Sequence, residues 1–299
     1  MTHHDHHDVE RGLAFDLDTL LQRRSMLKLL AGTRLIAIVG CSSDSNGSSA
    51  APSTAGATGT TEAAPATTID TATTASPAAS TPGATAVETT SCDPVPAETA
   101  GPFPGDGTNG PNLLTESDVV RQDIRSSIGS ASGTADGVPL TVQLTLVDSA
   151  NGCAPLTDAA LYLWHATADG RYSMYSDGVT DENFLRGVQV AASDGTVSFT
   201  TVHPGCYGGR WPHIHFEVYR DLASATTGGN AIATSQLAFP QATCATVYAD
   251  ERYSTSAGNL AKVSLSSDMV FSDDGAAQQL ATMSGDNASG WTAQLTVTV

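Results

Sequence analysis

Two tyrosines and a pair of histidines carry the chemistry legible in this chain: Tyr172 at the end of LYLWHATADGRY, then Tyr207, His213 and His215 within HPGCYGGRWPHIHF. The segment HIHFEVY alternates with the period of a β-strand, so both imidazoles leave one face with Cα atoms roughly 6 to 7 Å apart. Two nitrogens at that spacing can converge on one ion. The tyrosines narrow the choice of ion. A free phenol with pKa near ~10 must fall by at least ~3 units, about 4 kcal/mol, to be a phenolate at neutral pH. Zinc sites draw on Cys, His and carboxylate, whereas anionic oxygen beside imidazole suits a hard trivalent iron. The expected centre is a mononuclear non-haem Fe(III) site, one ion per chain, held by Tyr172, Tyr207, His213 and His215.

Scarcity supports this. Of 8 histidines, His3, His4, His6 and His7 form the cluster HHDHH ahead of an expected cleavage site, and two of the remaining four share one strand. The N-terminal cluster is richer in ligand types but belongs to a segment that a mature protein would lose.

At these residues the chain resembles the intradiol ring-cleavage dioxygenases, the family that includes catechol and protocatechuate dioxygenases. The resemblance runs from about Thr99 to Phe239. It rests on the G-x-Y turn Gly170-Arg171-Tyr172, the P-G-x-Y turn Pro204-Gly205-Cys206-Tyr207, and Arg210-Trp211-Pro212-His213-Ile214-His215, with Arg three before the first histidine. Two weaker marks agree, Thr99-Ala100-Gly101-Pro102-Phe103 and Thr234-Ser235-Gln236-Leu237-Ala238-Phe239. The resemblance implies an Fe(III) enzyme that uses O2 to cleave a catechol-type aromatic diol to a muconate-type diacid. It also implies that Tyr207 is the axial tyrosine displaced by substrate. Arg210 would offset charge on the substrate, and Gln236 would donate a hydrogen bond near the metal. The chain departs from the cytosolic enzymes in two ways. Only five residues separate Tyr207 from His213, as in a secreted branch of the family, and the helical segment through which catechol dioxygenases dimerise has no counterpart. Substrate identity and oligomeric state stay open.

The elements that must position this site are β-strands. Leu140–Leu146, Ala160–Trp164, Thr196–Thr200, His213–Val218, Ile232–Phe239 and Gln294–Val299 alternate or run β-branched. Helical signals are confined to Leu114–Ile124 and Gln278–Met283. Asp194-Gly195, between two short strands, predicts a tight hairpin turn. Residues 92–299 are enough for one core, and the reading is an all-β fold, a β-sandwich of the intradiol dioxygenase type. It follows a disordered tether over residues 41–91, where Ser42 to Ser91 hold no aromatic residue, Lys or Arg.

Residues 1–40 read as an export signal. Arg23-Arg24 precede a hydrophobic residue, Lys28 and an apolar stretch, and Cys41 stands where a lipobox cysteine would. Leu35 to Val39 is too short to span a bilayer, which needs ~20 apolar residues. The expected location is outside the cytoplasmic membrane, either secreted or held to its outer face only through a lipidated Cys41. Cys92, Cys153, Cys206 and Cys244 are then an even set in an exported chain, consistent with two disulfides. Three pairings are open, and Cys206 with Cys244 is favoured because both flank strands of the expected site.

Net charge is −18, and the first 40 residues add nothing to it, five acids cancelling five bases. Lys262 is the only lysine beyond Lys28. That argues against nucleic acid or an anionic membrane surface as partner and leaves a small aromatic diol and O2. A second reading is a non-catalytic adhesive module. PLTDAALYLW and DGTVSFTTVHPGCY also resemble transthyretin-like and collagen-adhesin strand patterns, although those give no reason for R-x-P-H-x-H.

Overall fold

The computed structural model describes residues 92–299, so the export signal, Cys41, the histidine cluster and the tether lie outside the described residues. The strands are β1 (Pro139–Asp148), β2 (Ala154–Pro155), β3 (Ala160–Trp164), β4 (Arg186–Val190), β5 (Thr196–Val202), β6 (His213–Tyr219), β7 (Ala233–Ala238), β8 (Thr282–Asp286) and β9 (Gly290–Thr298). Two short helices, α1 (Gln241–Val247) and α2 (Ser254–Leu260), follow β7. Among the described residues no helix is long and apolar enough to cross a membrane.

The strands form two sheets. One runs β2-β1-β9-β8 with β5 also paired to β1, and the other runs β4-β3-β6-β7. In β1 the alternate residues Leu140, Val142, Leu144 and Leu146 are buried. They meet Leu161 and Leu163 of β3, Ile214, Phe216 and Val218 of β6 and Leu237 of β7 in one apolar layer between the sheets. Period-2 alternation thus builds a sandwich core. The opposite face of the β4-β3-β6-β7 sheet is buried too. Tyr162 and Trp164 of β3 and Tyr219 of β6 pack there with Leu113, Leu114, Val119 and Tyr172, which come from irregular chain. That covered outer face holds the site residues.

Three expectations are corrected. Leu114–Ile124 forms turns and isolated bridges, Val120 to Val188 and Asp123 to Thr200, because its backbone groups find partners on β4 of one sheet and β5 of the other. Gln278–Met283 is a turn running into β8, which pairs with β9. Asp194-Gly195 is a tight turn, with Gly195 N–H donating to the Ala192 carbonyl. It is no hairpin, since it hands the chain from β4 in one sheet to β5 in the other. Gly195 has φ +79°, and a Cβ there would stand 2.3 Å from the Leu146 carbonyl oxygen.

The disulfide is also corrected. Cys92 bonds to Cys153, while Cys206 and Cys244 are buried thiols. Val95 N–H donates to the Thr298 carbonyl and Ser149 N–H to the Val299 carbonyl, which lays the segment after Cys92 beside the turn leaving β1. The Cys206 thiol donates instead to the Arg210 carbonyl at 3.4 Å.

Candidate metal centre

Cross-strand register lays out the site. His215 on β6 stands opposite Trp164 on β3 and Gln236 on β7, and Trp164 in turn stands opposite Arg186 on β4. One row across the sheet thus reads Arg186, Trp164, His215, Gln236. The Trp164 indole stacks on the His215 ring at 4.9 Å and 3°, which fixes that imidazole's plane. His213, one pleat away on the same face, pairs through Nδ1 with the Trp211 carbonyl. A carbonyl only accepts, so Nδ1 carries the proton and Nε2 keeps its lone pair. The two Nε2 atoms are 3.1 Å apart.

The tyrosines arrive on two turns that lean on each other. Gly170 N–H donates to the Thr167 carbonyl at 2.9 Å and Thr167 N–H to the Arg171 carbonyl at 2.7 Å, closing the turn that presents Tyr172. Gly170 has φ +90°, and a Cβ on it would sit 3.2 Å from Tyr207 Cβ. Gly205, two before Tyr207, faces the Thr167 and Ala168 carbonyl oxygens, which a Cβ would meet at 2.5 and 2.6 Å. Each motif glycine is where the other turn passes. The Tyr172 and Tyr207 rings consequently meet edge-on at 5.7 Å. Tyr207 Oη lies 3.3 Å from His213 Nε2, and the Tyr172 ring centre lies 6.2 Å from that of His215. The structure brings all four expected ligands together.

Both imidazoles are held well below the ordinary histidine range. For His213 the causes are burial and then the Arg210 charge, and for His215 burial, His213 and the two arginines. Neutral rings keep their lone pairs for a metal. Two nitrogens each ~2.1 Å from one ion, at right angles, would be about 3 Å apart, which matches the 3.1 Å separation. Among the described residues no group of three or more His, Cys, Asp or Glu is placed to hold a metal ion. The donors that stand beside this pair are the two phenols, and such a set fits a single hard cation.

Arg210 and Gln236 stand beside these ligands. Arg210 is fully buried, with Nε donating to Asp268 Oδ2 at 3.0 Å, Nη2 to Gln236 Oε1 at 2.6 Å, and Nη1 3.5 Å from Tyr207 Oη. The Gln236 amide nitrogen donates to the Thr99 carbonyl at 2.9 Å. One of its two amide N–H groups is thus engaged by the N-terminal segment, and its oxygen by the arginine. Glu98 lies near, its carboxyl pushed up to about 8 by burial and by Asp273 and held down by Arg210. Asp268, Trp164 and Glu98 were not singled out from the sequence. Trp164 was open to discovery, since it shares a face of LYLW with Tyr162. Asp268 carries no local signal among the acids of SSDMVFSDD.

Residues 109–214 match the profile of a family described as dioxygenase, and the fold around them is shared with a ring-cleaving enzyme. An intradiol ring-cleavage dioxygenase from Tetranychus urticae superposes with a TM-score of 0.50 at 27% identity, covering 61% of this chain and 87% of that one. Over these residues the domain is similar to the intradiol ring-cleavage dioxygenases. A chlorocatechol 1,2-dioxygenase of Rhodococcus opacus is 42% identical over 53 residues, 18% of this chain and 21% of that protein. The match thus spans about a fifth of that curated relative's length.

Proposed function

We propose that this intradiol dioxygenase homologue is a non-haem Fe(III) enzyme that opens a catechol-type diol between its two hydroxyl-bearing carbons, both atoms of O2 entering a muconate-type diacid. The observation that carries the proposal is the convergence of His213 Nε2, His215 Nε2 and Tyr207 Oη, at 3.1 and 3.3 Å, with Tyr172 alongside. Tyr172, Tyr207, His213 and His215 would hold the iron. When bound, Fe(III) supplies Lewis acidity toward the diol oxygens and a template for them.

The chain's own residues do the rest. The Trp211 carbonyl fixes His213 in the tautomer that binds through Nε2, and the Trp164 stack fixes His215. Tyr207 is the more exposed tyrosine, half-buried where Tyr172 is buried. It is the one able to turn away as the diol arrives, with Oη taking up a diol proton. Arg210 Nη1, 3.5 Å from Tyr207 Oη, faces the place where charge would build on the substrate. Gln236, with both ends engaged, holds the arginine and the Thr99 segment. The adhesive reading gives no role to this buried set and is not favoured.

Protein exported in folded form should contain close to one iron per chain, be reddish from tyrosinate charge transfer, and consume one O2 per diol. Oxygen uptake with catechol, protocatechuate and hydroxyquinol tests this. Stoichiometric zinc without iron after reconstitution, or no uptake with any diol, would overturn it. The location outside the cytoplasmic membrane is part of the same proposal, supported by Arg23-Arg24 and Cys41. Cys41→Ser should release the protein from membranes or leave a precursor, and fractionation like the parent would count against the anchor.

A further inference from the structure

The chain between α2 and β8 folds against the approach to β6, and one carboxylate fastens it there. Asp268 is fully buried. Its Oδ1 accepts from the N–H groups of Val270 at 2.8 Å and Phe271 at 3.0 Å, which shapes its own turn. Its Oδ2 accepts from the Trp211 N–H at 2.6 Å and from Arg210 Nε at 3.0 Å, which reaches the site. Four acceptor positions serve four donors, the full capacity of a carboxylate.

The consequence falls on Arg210. A guanidinium on a three-carbon stem has many rotamers, and its planar fork is useful only when aimed. With Nε held by Asp268, Nη2 meets Gln236 and Nη1 faces Tyr207 Oη. The Trp211 N–H, next along the chain, donates to the same carboxylate oxygen and keeps Oδ2 turned toward Arg210. Asp268 stands 58 residues beyond Arg210 and outside the matched stretch 109–214.

We propose that Asp268 is the positioning residue of this site, aiming the Arg210 fork at the substrate-facing side of Tyr207. The proposal rests on the dioxygenase reading of the site. In Asp268→Asn either amide orientation turns an NH2 toward two donors. Iron content and the visible band should stay parental, kcat should fall ~10- to 100-fold as expected for a misplaced group, and KM should change by less than about threefold. In an Arg210→Ala background the same change should cost no further kcat, since a residue acting through another is not additive with it. Asp268→Ser separates the two halves of the carboxylate, because a hydroxyl can still cap the Val270 and Phe271 N–H groups but falls short of Arg210. It should fold as the parent does and show the same kcat loss. Parental kcat in Asp268→Ser, or additive losses in the double variant, would overturn the proposal.

A readout without turnover keeps this separate from the function itself. In iron-free, 15N-labelled protein the Arg210 Nε–H should give a slowly exchanging resonance that disappears in Asp268→Ser, while that of Arg186 persists. An unchanged Arg210 signal overturns the positioning role. Absent oxygen uptake by iron-loaded parent protein would instead remove the dioxygenase reading.

Discussion

The two faces of β6 are equally dry and do opposite work. On one, Ile214, Phe216 and Val218 are fully buried between the sheets, and on the other His213, His215, Glu217 and Tyr219 are at most 3% exposed. Burial therefore does not tell the faces apart. The apolar face gains roughly 1.5–3 kcal/mol for each large side chain taken from water. Its polar counterpart loses solvation that must be recovered by partners. Partners serve His213 through the Trp211 carbonyl and Glu217 through the Tyr219 hydroxyl at 2.6 Å, while the Trp164 ring packs on His215. Alternation, which in many sheets separates inside from outside, here separates stability from chemistry.

The largest expected effect tests the chemical face. His215→Ala, or His213→Ala, should abolish iron binding and visible colour together, with turnover lost at least ~100-fold, while urea denaturation of the iron-free protein changes little. Retained stoichiometric iron would break the division. Next comes the apolar face, where Phe216→Ala should cost about 3–5 kcal/mol in urea denaturation. Any protein that stays folded should still bind iron, and a parental midpoint would count against the inter-sheet layer as the seat of stability.

Glu217 sharpens the comparison. Burial, more than its Asp106 neighbour, pushes its carboxyl up to about 8 despite the Tyr219 hydrogen bond. The folded state then holds a proton that the unfolded state has released, so stability should fall as pH rises from the ordinary carboxyl range to about 8. Glu217→Gln should flatten part of that decline in iron-free protein, leaving the share due to Glu98, whose carboxyl is raised to a similar value. An unaltered slope across pH-dependent urea melts would show that Glu217 is ionised. The smallest effect is Ile214→Val, expected to cost about 1 kcal/mol with iron content parental by elemental analysis.

What was legible followed the periodicity. LTVQLTL, ALYLW, TVSFT, HIHFEV and QLTVTV all lie in strands because each alternates over a buried face. The four ligands were legible because scarce residue types fell on glycine-marked turns and one strand, and those glycines prove to be where the two turns touch. β4, β8 and both helices went unread, being short and set by their neighbours more than by their own pattern. Leu114–Ile124 looked helical, and its Leu114 and Val119 instead cover the outer face of a sheet while Ile124 enters the layer between the sheets. Asp268 and the Cys92–Cys153 bond were illegible for one reason: each joins segments brought together only by the finished fold, across 58 and 61 positions.

The parallel pairing of β1 with β9 bears on how such a chain is made. Gln143 meets Gln294 across that pair, 151 positions downstream. At ~5–20 residues per second a ribosome needs roughly 8–30 s to travel that far. For that interval one flank of β1 has no neighbour, an open edge on which another chain could add. Yield in a producing cell should therefore depend on how well nascent chains are shielded during that wait, even for variants whose finished stability is the same.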